Sequence, residues 1–137
     1  MSETTGQNSQ ESSWVKQIEA ITLFVEDLAE AREFYLKVFG LPIFFEGDTS
    51  AVFKFGDTLI NLLQIEQADE LVSPGRVADR EAGSRIVFTL GVDDVDAMCA
   101  KLQERGVTLL NGPMDRPWGI RTASFADPGG HIWEIAK

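Results

Sequence analysis

The chain is poor in the residues that most site chemistry relies on. It holds one cysteine and one histidine in 137 residues. A lone Cys99 excludes an internal disulfide framework and fits a reducing cytoplasm, which is the expected location. A lone His131 excludes a histidine-rich metal centre within one chain, and a dimer adds only a second His131. No apolar run approaches the roughly 18 residues that a membrane span needs. The first residues lack the basic-then-apolar order of a secretory leader. Basic residues are also scarce: 12 Lys and Arg stand against 22 Asp and Glu, for a formal charge of −10. Such a surface repels nucleic acid and anionic bilayers, so neither is expected as a partner. No nucleophile triad, CxxC pair, phosphate loop or dinucleotide glycine motif is present.

What is there is order. Residues 1–14 are polar and without an apolar anchor until Trp14, and they are expected to be a disordered tail. From Ile18 to Val25 the residues alternate as in a strand. Asp27 then stands as the N-cap of a helix running to about Phe39, with Glu30 as its capping-box partner. Leu28, Ala31, Phe34, Tyr35 and Val38 recur at helical spacing, and Gly40 closes the helix in a left-handed conformation. Strands follow at Leu41–Glu46, Ser50–Phe55 and Thr58–Gln64, parted by Gly47-Asp48 and Gly56-Asp57. Residues 66–83 read as a linker carrying Pro74-Gly75. The same order then returns: a strand from Arg85 to Val92, a helix from Val95 to Arg105 opened by Asp93-Asp94, and strands at Val107–Leu110, Ile120–Phe125 and His131–Ile135. The chain thus divides into a first βαβββ module (15–65), the linker, and a second module (84–137).

The two modules match in register. Thr22-Leu23-Phe24-Val25-Glu26-Asp27-Leu28 lies over Thr89-Leu90-Gly91-Val92-Asp93-Asp94-Val95. Gly40-Leu41 lies over Gly106-Val107, and Phe55-Gly56-Asp57-Thr58-Leu59-Ile60-Asn61 over Pro128-Gly129-Gly130-His131-Ile132-Trp133-Glu134. Strand parity assigns the faces. Ile21, Leu23, Val25, Ile60, Leu62, Phe88, Leu90, Val92, Trp133 and Ile135 belong under the helices. Ala20, Thr22, Asn61, Leu63, Val87, Thr89, Ile132 and Glu134 occupy the opposite, mixed-polarity face. One helix hides only one face of a sheet, so the other face must be covered or line a cavity.

With Pro117-Trp118-Gly119-Ile120-Arg121 and Asp127-Pro128-Gly129-Gly130, these blocks resemble the vicinal oxygen chelate superfamily of glyoxalases, extradiol dioxygenases, and bleomycin- and fosfomycin-resistance proteins, over about Ile18 to Ala136. The resemblance implies an α+β fold of two paired βαβββ modules with curved mixed sheets enclosing a cleft, and a homodimer. It specifies the fold and not an activity, since the superfamily spans lyases, dioxygenases, transferases and binders. In metal-dependent members the first strand of each unit supplies a His or its substitute, and the last strand of each unit a Glu. Here those places hold Ala20, Asn61, Val87 and Glu134. Glu134 alone matches, and two aliphatic side chains and an amide are poor ligands for a divalent ion. No cofactor is expected. The implied function is binding of a small, partly apolar organic molecule without metal. The alternative is a divalent-metal-dependent lyase or dioxygenase of the same superfamily, and whether the chain is catalytic stays open.

The candidate ligand-binding residues are Phe24, Asn61, Thr89, Trp118, Arg121 and Glu134. Glu134 is placed to accept a hydrogen bond or act as a base; its plainer role is a former ligand position paired with an arginine or water. Asn61 stands opposite it in the repeat, and its plainer role is to satisfy backbone groups. Trp118 and Arg121 suit stacking on a flat ligand and meeting an anion, or else they brace their loop. Phe53 and Phe55 join Phe24 as candidate pocket wall or are ordinary core. Cys99 reads as a small buried side chain, and His131 as structural. Asp127 to Gly130 forms a turn and not a phosphate site, because no helix follows it.

Overall fold

The computed structural model describes residues 13–137, so the expected tail falls almost wholly outside the described residues. Two four-stranded sheets have the same strand order, an exact echo of the sequence repeat. In the first module β1 (Ala20–Val25) leads to α1 (Leu28–Phe34), then β2 (Ile43–Glu46), β3 (Ser50–Phe55) and β4 (Thr58–Gln64). The linker holds one short α-helix, α2 (Asp69–Val72), between 3-10 turns at Ile65–Gln67 and Arg80–Ala82. The second module runs β5 (Val87–Gly91), α3 (Val95–Glu104), β6 (Asn111–Asp115), β7 (Arg121–Ala126) and β8 (Ile132–Ala136). Each first strand pairs parallel with the last strand of its module, and the remaining pairs are antiparallel. The first strand is therefore an edge of each sheet.

Both helices start as their caps dictate. Asp27 Oδ1 accepts from Glu30 N at 3.1 Å, and Asp94 Oδ1 from Ala97 N at 3.0 Å. This satisfies one of the backbone donors that a helix start leaves orphaned. α1 runs on as a π-helical turn over Tyr35–Phe39 and stops at Gly40, whose φ of 69° is left-handed.

Core and open faces follow the alternation. Leu23, Val25, Ile60 and Leu62 of the first sheet and Trp133 and Ile135 of the second are all buried. They form one continuous cluster with Ala31, Tyr35 and Val38 from the α1 segment and Val95, Cys99 and Leu102 from α3. The two modules thus share a single core between their helix-bearing faces. Phe53 is wholly buried and Phe55 stacks on Trp133 at 5.1 Å, so both belong to this core and not to a pocket wall.

One strand differs from expectation. Val107–Leu110 is not a strand; β6 begins at Asn111. Val107 is buried beneath the end of α3, and its N–H returns to Leu102 O at 3.0 Å. That contact captures the apolar run as the helix exit, overriding its β propensity. Gly112, with φ at 87°, then lies so close to β7 that a Cβ would sit 2.5 Å from Thr122 O. Only glycine fits there.

The modules are also joined by a buried polar cluster. The Tyr35 hydroxyl donates to Asp127 Oδ2 at 2.6 Å and accepts from Trp133 Nε1 at 3.1 Å. Burial, and then the Asp127 charge, raise the Tyr35 pKa well above its ordinary value. An acid whose folded pKa is raised stabilises the fold at pH below its unfolded value near 10, and that contribution is lost as pH rises beyond it. Tyr35 is the only tyrosine, so near-ultraviolet tyrosinate absorbance reports it alone. The native protein is expected to show no tyrosinate at pH values where the urea-unfolded chain titrates, at about pH 10. Tyr35→Phe removes a donor to a buried carboxylate and the acceptor of Trp133, and should lower unfolding stability by about 3 kcal/mol in urea titration.

Candidate functional site

Each sheet turns one face away from the shared core, and both outer faces carry the same device. In the parallel pair β1–β4, Thr22 stands beside Asn61, and Asn61 Nδ2 donates to Thr22 Oγ1 at 3.4 Å. In β5–β8, Thr89 stands beside Glu134, and its hydroxyl donates to Glu134 Oε1 at 2.8 Å. These two dyads occupy equivalent places in the repeat. They differ in that one is neutral and the other carries a carboxylate. Asn61 Oδ1 is buried with no hydrogen-bond partner among the described residues, an acceptor left open to a donor from elsewhere.

On the second sheet the polar row continues. Glu134 pairs with Ser124 on β7, and Ser124 with Asn111 on β6. Thr89, Glu134, Ser124 and Asn111 therefore cross all four strands at one level. At the far end lies Arg116. Its Nε donates to Thr122 Oγ1 at 2.7 Å, Nη2 to Asn111 Oδ1 at 2.5 Å, and Nη1 approaches Met114 Sδ at 3.0 Å.

The candidate residues separate on this frame. Thr89 and Glu134 are in contact. Phe24 and Asn61 lie on the other sheet, and no hydrogen bond links the two outer faces among the described residues. Trp118 projects from the turn between β6 and β7 and is 69% exposed. Arg121 is directed elsewhere. Its guanidinium meets Asp96 on α3 at 2.9 Å and Asp115 at 3.0 Å, and these carboxylates raise its pKa while its hydrogen bonds hold that of Asp96 down. Arg116 is the residue that sequence reasoning missed. Parity along β7, read opposite Glu134, would have found Ser124 and Thr122; nothing in the sequence marks Arg116. His131 places Nδ1 3.0 Å from Asp127 Oδ1, which ties it to the turn that precedes β8. Cys99 is buried, which raises its thiol pKa.

The two mixed sheets of the expected fold are formed, and their open faces are the ones that carry Asn61 and Glu134. A cavity of about 320 Å³ opens at the edge of β1, against residues Ala78–Arg80 and Gly83–Ile86 and the turn Gly129–His131. It is bordered by Thr22 and Phe24 but not by Asn61, Thr89 or Glu134. The donor set does not fit a divalent ion. At the places equivalent to metal ligands, Ala20 and Val87 offer no donor atom, and Glu134 is engaged by Thr89. Among the described residues, no three His, Cys, Asp or Glu side chains gather closely enough to hold one.

The model of the glyoxalase/bleomycin resistance protein/dioxygenase superfamily matches residues 17–135. The chain belongs to this superfamily. It is similar to the uncharacterized protein YraH of Bacillus subtilis, with 38% identity over 85% of this chain and 94% of that one. It is also similar to the metallothiol transferase FosB of Staphylococcus epidermidis, with 29% identity over 88% of this chain and 83% of that one. A crystal structure of a glyoxalase/bleomycin resistance protein/dioxygenase from Nocardioides superposes with a TM-score of 0.79 at 22% identity, covering 98% of this chain and 92% of that one. That likeness confirms the fold of two mixed sheets.

Neighbouring residues on β8 should respond oppositely to truncation. Glu134→Ala is expected to change unfolding stability by no more than about 0.5 kcal/mol, as at a site outside the core. Trp133→Ala should cost about 3–5 kcal/mol. Denaturant titration of both variants checks the assignment of faces.

Proposed function

We propose that this superfamily member binds a small, partly apolar organic molecule without a metal, as a cytoplasmic homodimer. The observation that carries the reading is the pair of dyads, Thr22–Asn61 and Thr89–Glu134, set in outer faces of mixed polarity where metal-ligand places hold Ala20 and Val87. Phe24, Asn61, Thr89, Trp118 and Glu134 supply the contacts. Glu134 accepts a hydrogen bond from the ligand, Asn61 offers its open acceptor, and Phe24 and Trp118 supply aromatic surface. Arg121, committed to Asp96 and Asp115, stabilises its own neighbourhood.

The same geometry supports the proposal of a second copy. The outer faces lie away from one common core, so the Asn61 half and the Glu134 half meet around one ligand only when another chain supplies one of them. Exposed apolar residues at these margins, including Phe44, Phe45, Val87 and Leu110, support burial against a partner. Similarity to FosB favours a second reading, a metal-dependent enzyme, which would have to draw its missing ligands from other positions.

Elemental analysis of protein purified without chelator separates the two readings. The expected result is substoichiometric zinc, nickel, manganese and iron, unchanged by Glu134→Ala. Stoichiometric metal that disappears in Glu134→Ala would establish the metal-dependent reading instead. Sedimentation at micromolar concentration is expected to show a dimer, and a monomer would remove the composite cleft.

A further inference from the structure

We infer that Arg116 is the residue that selects the ligand's charge: the cleft proposed above takes a molecule bearing an oxyanion, such as a carboxylate or phosphate, which Arg116 binds. The inference rests on that cleft-binding reading. Arg116 is held in place by neutral acceptors alone, Thr122 Oγ1, Asn111 Oδ1 and Met114 Sδ. Thr122 is fully buried, so the anchor of Nε is rigid. Among the described residues no carboxylate lies within ion-pair distance of this guanidinium, whereas Arg32 and Arg80 each have one and Arg121 has two. Three of its five N–H groups are engaged and two remain. A guanidinium fixed in orientation, partly desolvated and uncompensated is built to receive a bidentate oxyanion.

Its position supplies the second half of the specificity. Asn111, which Arg116 grips, lies in the same cross-strand row as Glu134, with Ser124 between them. Two strand spacings, about 10 Å, separate Glu134 from Asn111. Among the described residues the Glu134 carboxylate is hydrogen-bonded to Thr89 and the Arg116 guanidinium to Thr122 and Asn111, so the two charges share one face without pairing with each other. The ligand class is therefore an amphiphile with an oxyanion at one end and a hydroxyl or amine donor about 10 Å away, facing Glu134.

Two fluorescent probes of the same ring system test this: 8-anilinonaphthalene-1-sulfonate, an anion, and N-phenyl-1-naphthylamine, which lacks the sulfonate. The wild-type protein should bind the anionic probe more tightly than the neutral one. Arg116→Gln should weaken the anionic probe by about tenfold or more and leave the neutral probe unchanged, which also shows that the variant is folded. Arg76→Gln, which removes the same charge from the linker, should alter neither. The inference is overturned if Arg116→Gln leaves the anionic probe within about twofold, lowers both probes alike while remaining folded, or is matched by Arg76→Gln. Should Arg116→Gln fail to fold, Arg116→Lys decides: loss of the fork with retention of charge should weaken the anionic probe alone, and an unchanged affinity overturns the inference. Binding of only the neutral probe by the wild-type protein sinks this inference and leaves the cleft reading standing. Saturable binding of neither probe sinks both.

Discussion

A buried carboxylate fixes the two modules against each other. The Asp127 side chain has no exposed surface. It accepts from the Tyr35 hydroxyl of the first module at 2.6 Å and from His131 N at 2.8 Å, with His131 Nδ1 at 3.0 Å. An unpaired charge in such a place costs several kcal/mol, so these partners are obligatory. Tyr35 also accepts from Trp133 Nε1, which leaves its hydroxyl one orientation. The consequence reaches the outer face. Once Trp133 is anchored to the α1 segment, the pleat sends Glu134 the opposite way, and a slip of one residue would exchange them. The core network thereby determines where the open carboxylate points.

The duplicated architecture makes the change of chemistry measurable within a single chain. Thr22–Asn61 and Thr89–Glu134 are the same side-chain pair at the same register, one amide and one carboxylate. A metal site in this frame needs donors at both first-strand places, and Ala20 and Val87 have none. What persists in each half is a threonine hydroxyl beside an amide or a carboxylate group. Under the metal-free reading proposed above, that pair would orient an organic ligand by one or two hydrogen bonds.

The fold was legible because its signals are redundant. Two caps, two left-handed helix ends and two alternating closing strands repeat in order, so each half corroborates the other. The faces were legible because Trp133 and Glu134 are adjacent and opposite in character. The misplaced β6 shows the limit: Val107–Leu110 has strand-like composition, but burial of Val107 under α3 claims it. The two arginines of the β6–β7 hairpin show another. Arg121 stands next to a site-like tryptophan loop in sequence, yet it is paired in register with Asp115 and within reach of Asp96. Arg116 has no such partner among the described residues. Which of two arginines five residues apart faces the open sheet depends on a strand shift at Gly112–Pro113, and local propensity does not encode that.

The strongly acidic composition bears on the outer face in a way that net charge alone misrepresents. A formal charge of −10 repels anions at long range, but interactions between exposed charges are largely screened beyond about 8 Å at physiological ionic strength. Within that distance the orientation and pairing of individual groups decide. Most carboxylates are on the solvent side of helices and turns, whereas the second sheet's outer face presents one guanidinium with neutral partners and one carboxylate at the other end of the row. Covering that face with a second chain would lower the local dielectric and strengthen both polar contacts. The acidic exterior would then slow the approach of an anion without preventing its capture, so selectivity is set at the face itself and not by the field of the whole molecule.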